Sequence, residues 1–187
     1  SLGTVCTVFE ANGLKIYDVE ELPTHGGSLR IYAAHAADLS HPITSRVEEL
    51  LQRECDFGLR DMAVCRAFSQ RASKIKLDTL SLLTALKQEN KKIMAFGAAA
   101  KGNTFINYCG IKRDIIDGVF DSNIHKQGLY LPGSLIPILS PDTLQEQRPD
   151  YLLILPWNLS EEIAESASCI RQWGGKFITC IPEIRVF

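Results

Sequence analysis

Lys92-Ile93-Met94-Ala95-Phe96-Gly97-Ala98-Ala99-Ala100-Lys101-Gly102-Asn103-Thr104 is the stretch on which the fold turns. An apolar run of strand length enters a glycine, small residues follow, and a helix-forming segment opens at Lys101 and continues to Tyr108. The same alternation continues downstream. Residues 116–120 predict a strand ending at Asp121, and residues 135–138 an edge strand, because Pro137 removes a ladder donor. Pro141 opens a short helix to residue 147, and the unbroken apolar run 151–155 predicts a strand covered on both faces. A helix over 159–173 stops at Gly174-Gly175, and a last long strand follows at 176–180. Strands alternating with helices predict an α/β domain with an open, mainly parallel sheet over residues 91–187.

Upstream the rhythm is different. Residues 1–12 read as the end of a helix stopped at Asn12-Gly13, and 14–19 and 28–33 read as two strands joined through Pro23 to Gly27. A helix stub and two strands cannot bury a core alone, so residues 1–34 read as the last piece of a larger sheet. A polar connector over 35–42 leads to a helix at 43–54, interrupted at Phe57-Gly58. A longer helix over about 59–88 carries Met62, Cys65, Phe68, Ala72, Ile75, Leu82, Leu83 and Leu86 at helical spacing. It suits either a bridge between domains or an ordinary amphipathic packing helix. The expected division is therefore 1–34, 35–90 and 91–187, with no internal repeat.

Composition narrows the function classes. A formal net charge of −2, with both signs interspersed and no arginine-rich arm, argues against nucleic acid. Charges interrupt every apolar stretch before it reaches bilayer length, and no export signal opens the chain, so a cytoplasmic location is expected. The six cysteines are scattered, without a C-x-x-C pair or a histidine at ligand spacing, which predicts free thiols and no metal site.

In a parallel sheet, ligands bind beyond the C-terminal strand ends, which places the first candidate site at residues 97–104. Gly97, Gly102 and the alanines permit close backbone approach. The helix start offers free N–H groups to an anion, Lys101 adds a full charge, and Asn103 can hydrogen-bond. The spacing fits neither a G-x-G-x-x-G fingerprint nor a Walker A loop. Asp121 suits a ribose-binding carboxylate or, equally, a strand-end turn with Ser122-Asn123. The loop 126–133, opening with Lys126, is punctuated by glycine and proline and suits a ligand surface. Trp157 suits stacking on a base or sugar, and Asn158 suits either a ligand contact or a helix cap. In Thr24-His25-Gly26-Gly27-Ser28-Leu29-Arg30, His25 suits a general acid or base, or only a surface turn, and Arg30 suits an anion. His35, His41 and His125 have no supporting spacing.

These motifs together, in this order, resemble the sugar C-methyltransferases of deoxysugar biosynthesis. The resemblance rests on Thr24 to Arg30, Gly97 to Thr104, Asn107-Tyr108-Cys109-Gly110, Lys126-Gln127-Gly128, Pro132-Gly133, Leu155-Pro156-Trp157-Asn158 and Ile181-Pro182-Glu183, and it covers essentially the whole chain. It implies that residues 1–34 are terminal strands of a methyltransferase domain and that 91–187 form a Rossmann-like C-terminal domain. It further implies S-adenosylmethionine as cofactor of a longer protein, its glycine-rich motif and the family's zinc cysteines being absent from these residues. A nucleotide-linked ketosugar is the implied substrate, His25 the general base that removes the proton α to the keto group, and Lys101, Asn103 and Arg30 the contacts to diphosphate or sugar. On this basis the chain alone is expected to bind the nucleotide sugar without methylating it. The competing expectations are a non-catalytic nucleotide-binding module of NAD or coenzyme A type and a nicotinamide oxidoreductase. The sequence assigns no oligomeric state.

Overall fold

A computed structural model describes residues 1–187. Packing divides the chain into two compact units, Ser1–Ser69 and Gln70–Phe187. The connector expected at 35–90 is therefore shared between them.

The first unit is built on a hairpin. Helix α1 (Leu2–Glu10) precedes strands β1 (Leu14–Leu22) and β2 (Ser28–His35), which pair antiparallel from Leu14↔His35 to Leu22↔Ser28, with an irregularity between Ile16 and Asp18. Helix α2 (Ser45–Asp56) follows, and Val47 and Leu50 bury with Leu2, Ile16 and Val19 to form a small core. Polar ties hold the helices to it. Glu54 accepts the N–H groups of Leu2 (2.5 Å) and Gly3 (2.9 Å), placing a carboxylate at the positive end of α1. Asp18 accepts from Arg46 and from the Thr44 hydroxyl (2.7 Å), fastening the start of α2 to β1. Arg46 first, then Thr44, lowers the Asp18 carboxyl below the ordinary carboxylate range. In the following loop, the Ser40 hydroxyl and amide and then His41 lower Asp38 to about 2.

Helix α3 (Met62–Gln88) is split by the division at residue 69. Its periodicity predicted one apolar stripe, but Met62 and Phe68 are about two-thirds exposed, whereas Leu83 and Leu86 are buried. Spacing identifies residues that share a face and does not show that the face is covered.

The second unit holds strands β3 (Ile93–Phe96), β4 (Val119–Phe120), β5 (Ile138–Leu139), β6 (Tyr151–Ile154), β7 (Lys176–Thr179) and β8 (Arg185–Val186). Their order is β5-β4-β3-β6-β7-β8, parallel except for β8, which runs antiparallel to β7. This is the predicted α/β fold with a mainly parallel sheet. Helix α4 (Ala100–Cys109) follows β3, α5 (Leu144–Gln147) precedes β6, and α6 (Ser160–Ser166) follows it. Alternation along the strands sends Ile93, Ala95 and Leu153 to one face, against Leu83, Leu86 and Ile106. Met94, Leu152 and Phe177 go to the other, against Leu144, Ile163 and Ala164. Both faces are thus covered, as a parallel sheet requires.

Several expected bounds move. Regular β4 is confined to two residues, although pairing already starts at Asp117, whose N–H donates to the Ile93 carbonyl (3.0 Å). The edge strand expected at 135–138 lies at 138–139, because Leu135 takes a left-handed φ of 57° and turns the chain into a hairpin. That hairpin pairs 128–131 with 136–138 through Gly128 N–H to Ile138 C=O, Ile138 N–H to Leu129 C=O and Leu131 N–H to Ile136 C=O. The single helix expected at 159–173 is α6 followed by a 3-10 segment over Ser168–Trp173, broken at Ala167. The sequence pattern missed β8.

Gly102 packs α4 onto the sheet: a Cβ there would lie 2.6 Å from Leu155 Cβ. Gly102→Ala is expected to lower stability by about 1–3 kcal/mol through overpacking, read by tryptophan fluorescence in a denaturant titration; both tryptophans lie in the second unit. In the first unit the lowered carboxyl of Asp38 stabilises the fold above its ordinary value of 3.8 and ceases to do so as pH falls toward about 2. Exchange protection of the Ser40 amide, which Asp38 accepts, should therefore fade across that interval and be missing already at neutral pH in Asp38→Ala.

Candidate functional site at the reversal of strand order

From β3 the chain builds outward to β4 and β5, then returns to lay β6 on the opposite side of β3. The strand order thus reverses between β3 and β6, the place where open α/β sheets bind ligands. Two turns leave the sheet there, Gly97–Ala99 before α4 and Leu155–Asn158 after β6.

Gly97 has a φ of +90°, and a Cβ on it would stand 2.4 Å from Pro156 Cγ. The glycine expected to admit a ligand instead admits Pro156, and Gly102 likewise admits Leu155. The two turns are packed on each other. Lys101 joins them above this contact: its Nζ donates to Asn158 Oδ1 and stands 4.8 Å from the centre of the Trp157 ring. Trp157 is half-buried and rests edge-on against Phe105, with ring centres 6.5 Å apart. Asn158 caps nothing: α6 starts two residues later, with Leu159 before it and no side-chain cap. The cap expectation fails because a 3-10 turn over Trp157–Leu159 intervenes.

At the start of α4, Ala99 has extended backbone and no side chain caps the helix. The first-turn amides have no intrahelical acceptor and no side-chain cap, and Lys101 belongs to that turn. Asn103 is half-buried, and its Oδ1 accepts weakly from Asn107 Nδ2 at 3.3 Å.

Asp121 and Lys126 are spent on the backbone. Asp121 accepts the amides of Ala98 (2.7 Å) and Asn123 (2.8 Å), and Lys126 Nζ donates to the Ala98 carbonyl (2.9 Å) and to Asp121 (3.3 Å). Sequence reasoning did not find Pro156 as the partner of Gly97, nor the contact of Asn107 with Pro132 (Nδ2 to carbonyl, 3.0 Å). The recurrence of Asn at 103 and 107 beside Pro132-Gly133 was the available signal for the second.

His25 and Arg30 belong to the first unit. His25 is exposed in the turn between β1 and β2 and takes a left-handed φ of 57°, followed by Gly26 and Gly27 at 89° and 126°. Three successive positive φ values make a sharp presentation of one imidazole, which donates to and accepts from no group in the chain. A non-glycine residue in this region is uncommon. Arg30 donates to Glu20 across the hairpin at 2.9 Å. No cluster of histidine, cysteine and carboxylate groups is arranged to hold a metal, and no helix is long and apolar enough to cross a membrane.

The chain is 37% identical over 186 residues to the C-methyltransferase NovU of Streptomyces niveus, an alignment covering 100% of this chain and 44% of that protein. It therefore spans less than half the length of that relative. The solved structure of RSP, a Rex-family repressor, aligns over 73% of this chain and 63% of that one at a TM-score of 0.36 and 16% identity, too distant to carry an argument. Residues 23–182 match the C-methyltransferase C-terminal domain, and with NovU this shows that the chain belongs to the C-methyltransferase family.

Proposed function

We propose that this chain is the substrate-binding part of an S-adenosylmethionine-dependent C-methyltransferase, acting in the cytoplasm on a nucleotide-linked ketosugar or related small molecule, with His25 as general base. Family membership supports methyl transfer to carbon. The observation that carries the substrate assignment is Lys101, a cation at an uncapped helix start where the strand order reverses. A diphosphate there meets free amides and one ammonium, while Trp157 and Asn158 stand beside it for the sugar or base. Lys101 exchanges Asn158 for phosphate when the ligand arrives.

S-adenosylmethionine supplies an electrophilic methyl group when bound, and the residues of this chain do not fit it. The one strand–glycine–helix turn is filled by Pro156, and no G-x-G-x-x-G run occurs. What this chain contributes is binding and a proton transfer. The imidazole of His25 removes the proton from the carbon next to the ketone, leaving an enolate as nucleophile. Its exposure and left-handed turn favour that role over packing. Alone, the chain binds substrate and transfers nothing.

Calorimetric titration with thymidine diphosphate, S-adenosylmethionine, NAD and coenzyme A should show binding of the first only. Binding of NAD or coenzyme A instead would establish the nucleotide-module alternative. Lys101→Ala should weaken thymidine diphosphate binding by about 1–3 kcal/mol, the range for a hydrogen bond to a charged group; unchanged affinity removes Lys101 from the site. Fused to the N-terminal part of a full-length relative, His25→Ala should reduce kcat by about 100-fold or more with KM little altered. Full turnover would make His25 a turn residue only.

A further inference from the structure

Asp121 is only 8% exposed, and both its carboxylate oxygens are engaged. One accepts the Ala98 amide at 2.7 Å and the Lys126 ammonium at 3.3 Å, the other the Asn123 amide at 2.8 Å. Lys126 also donates to the Ala98 carbonyl at 2.9 Å. Ala98 is thus held at its N–H and its C=O by one ion pair, a buried Asp121 with a partly exposed Lys126, reaching over from the end of β4. Two further bonds tie that pair and the turn to the same strand end: Gln127 Nε2 donates to the Asp121 carbonyl (2.9 Å), and the Gly97 amide donates to the Phe120 carbonyl (2.7 Å). Ala98 immediately precedes Ala99, from which α4 begins. Rotation of the Ala98 peptide would therefore redirect every free amide of the first helical turn.

We propose that Asp121, with Lys126 as its counter-ion, is a positioning residue that presets the Gly97–Ala99 turn for the ligand phosphate, and that neither side chain touches the ligand. The proposal rests on the diphosphate site described above. The pairing also matters for charge. A carboxylate held this close to the helix start would repel a phosphate if left unneutralised, and Lys126 cancels it. The net positive charge facing the ligand is then that of Lys101 and the helix start alone. A ribose hydroxyl seeking Asp121 would compete with the Ala98 amide and the Lys126 ammonium.

The test combines titration of thymidine diphosphate with amide exchange at Ala98, measured by NMR on the free chain. Asp121→Asn and Lys126→Met should each weaken binding about tenfold, the effect of one charged hydrogen bond. Both should also speed Ala98 exchange before any ligand is added. Lys126→Arg, which can still span Asp121 and the Ala98 carbonyl, should restore affinity to within about threefold of the unmodified chain. Lost affinity with Ala98 still protected would show a direct ligand contact and overturn the proposal. Equal binding by the unmodified chain and both variants would overturn it too, while leaving the diphosphate site standing. An unmodified chain that binds no thymidine diphosphate removes the site and this proposal together. Should Asp121→Asn fail to fold, Lys126→Met, whose side chain is 39% exposed, carries the same two readouts.

Discussion

Pro156 stands where a side chain on Gly97 would have to be, and the C-terminal edge of the sheet is arranged around that contact. Gly97 adopts a φ of +90°, a conformation that side chains resist, and it does so to let the β6 turn close on the β3 turn. Gly102 repeats the arrangement one step along, against Leu155. The backbone at the reversal of strand order is therefore filled with protein. The layer of Lys101, Trp157, Asn158 and the uncapped start of α4 is the one proposed for the ligand. A site of this kind recognises charge and flat surface and does not enclose its ligand in a glycine cradle, which agrees with the departure of this sequence from G-x-G-x-x-G.

The ion pairs differ in how far they are withdrawn from water. In the first unit, Arg46 with Asp18, Arg53 with Glu21 and Arg30 with Glu20 are ion pairs of strand with helix or strand with strand, exposed on at least one side. Pairs of this sort contribute little each. In the second, the Asp121–Lys126 pair is partly withdrawn from water and bonded to backbone, so its geometry is more tightly determined. The difference follows from burial: a carboxylate taken out of water must find partners, and those partners then define where the chain goes.

The alternation of strand and helix beyond residue 90 was legible because a parallel sheet buries both faces, making 93–96 and 151–154 continuous apolar runs. Where a boundary depended on one residue's backbone angle, it was not. Leu135 in the left-handed region and the break at Ala167 leave no trace in hydropathy. The stripe on α3 misled because Met62 and Phe68 obey helical spacing while lying in the open. At the site, Lys101 could be picked out, since a lysine just after a strand and a glycine has few places to go. Asp121 and Lys126 could be named but not paired, and the meeting of Gly97 with Pro156 joins segments whose relation depends on strand order.

The hairpin of 128–131 with 136–138 lies along the outer side of β5, where its amides and carbonyls pair with those that an edge strand would leave bare. At the opposite rim, β8 is two residues long and carries Arg185. The sheet thus offers no long, flat row of unsatisfied peptide groups to act as a template. A foreign strand seeking to extend it would meet a turned-back loop on one side and the two residues of β8, with Arg185, on the other. Leu129, Tyr130 and Leu135 are exposed on that hairpin, so the apolar surface of this rim is side chain and not an open backbone seam.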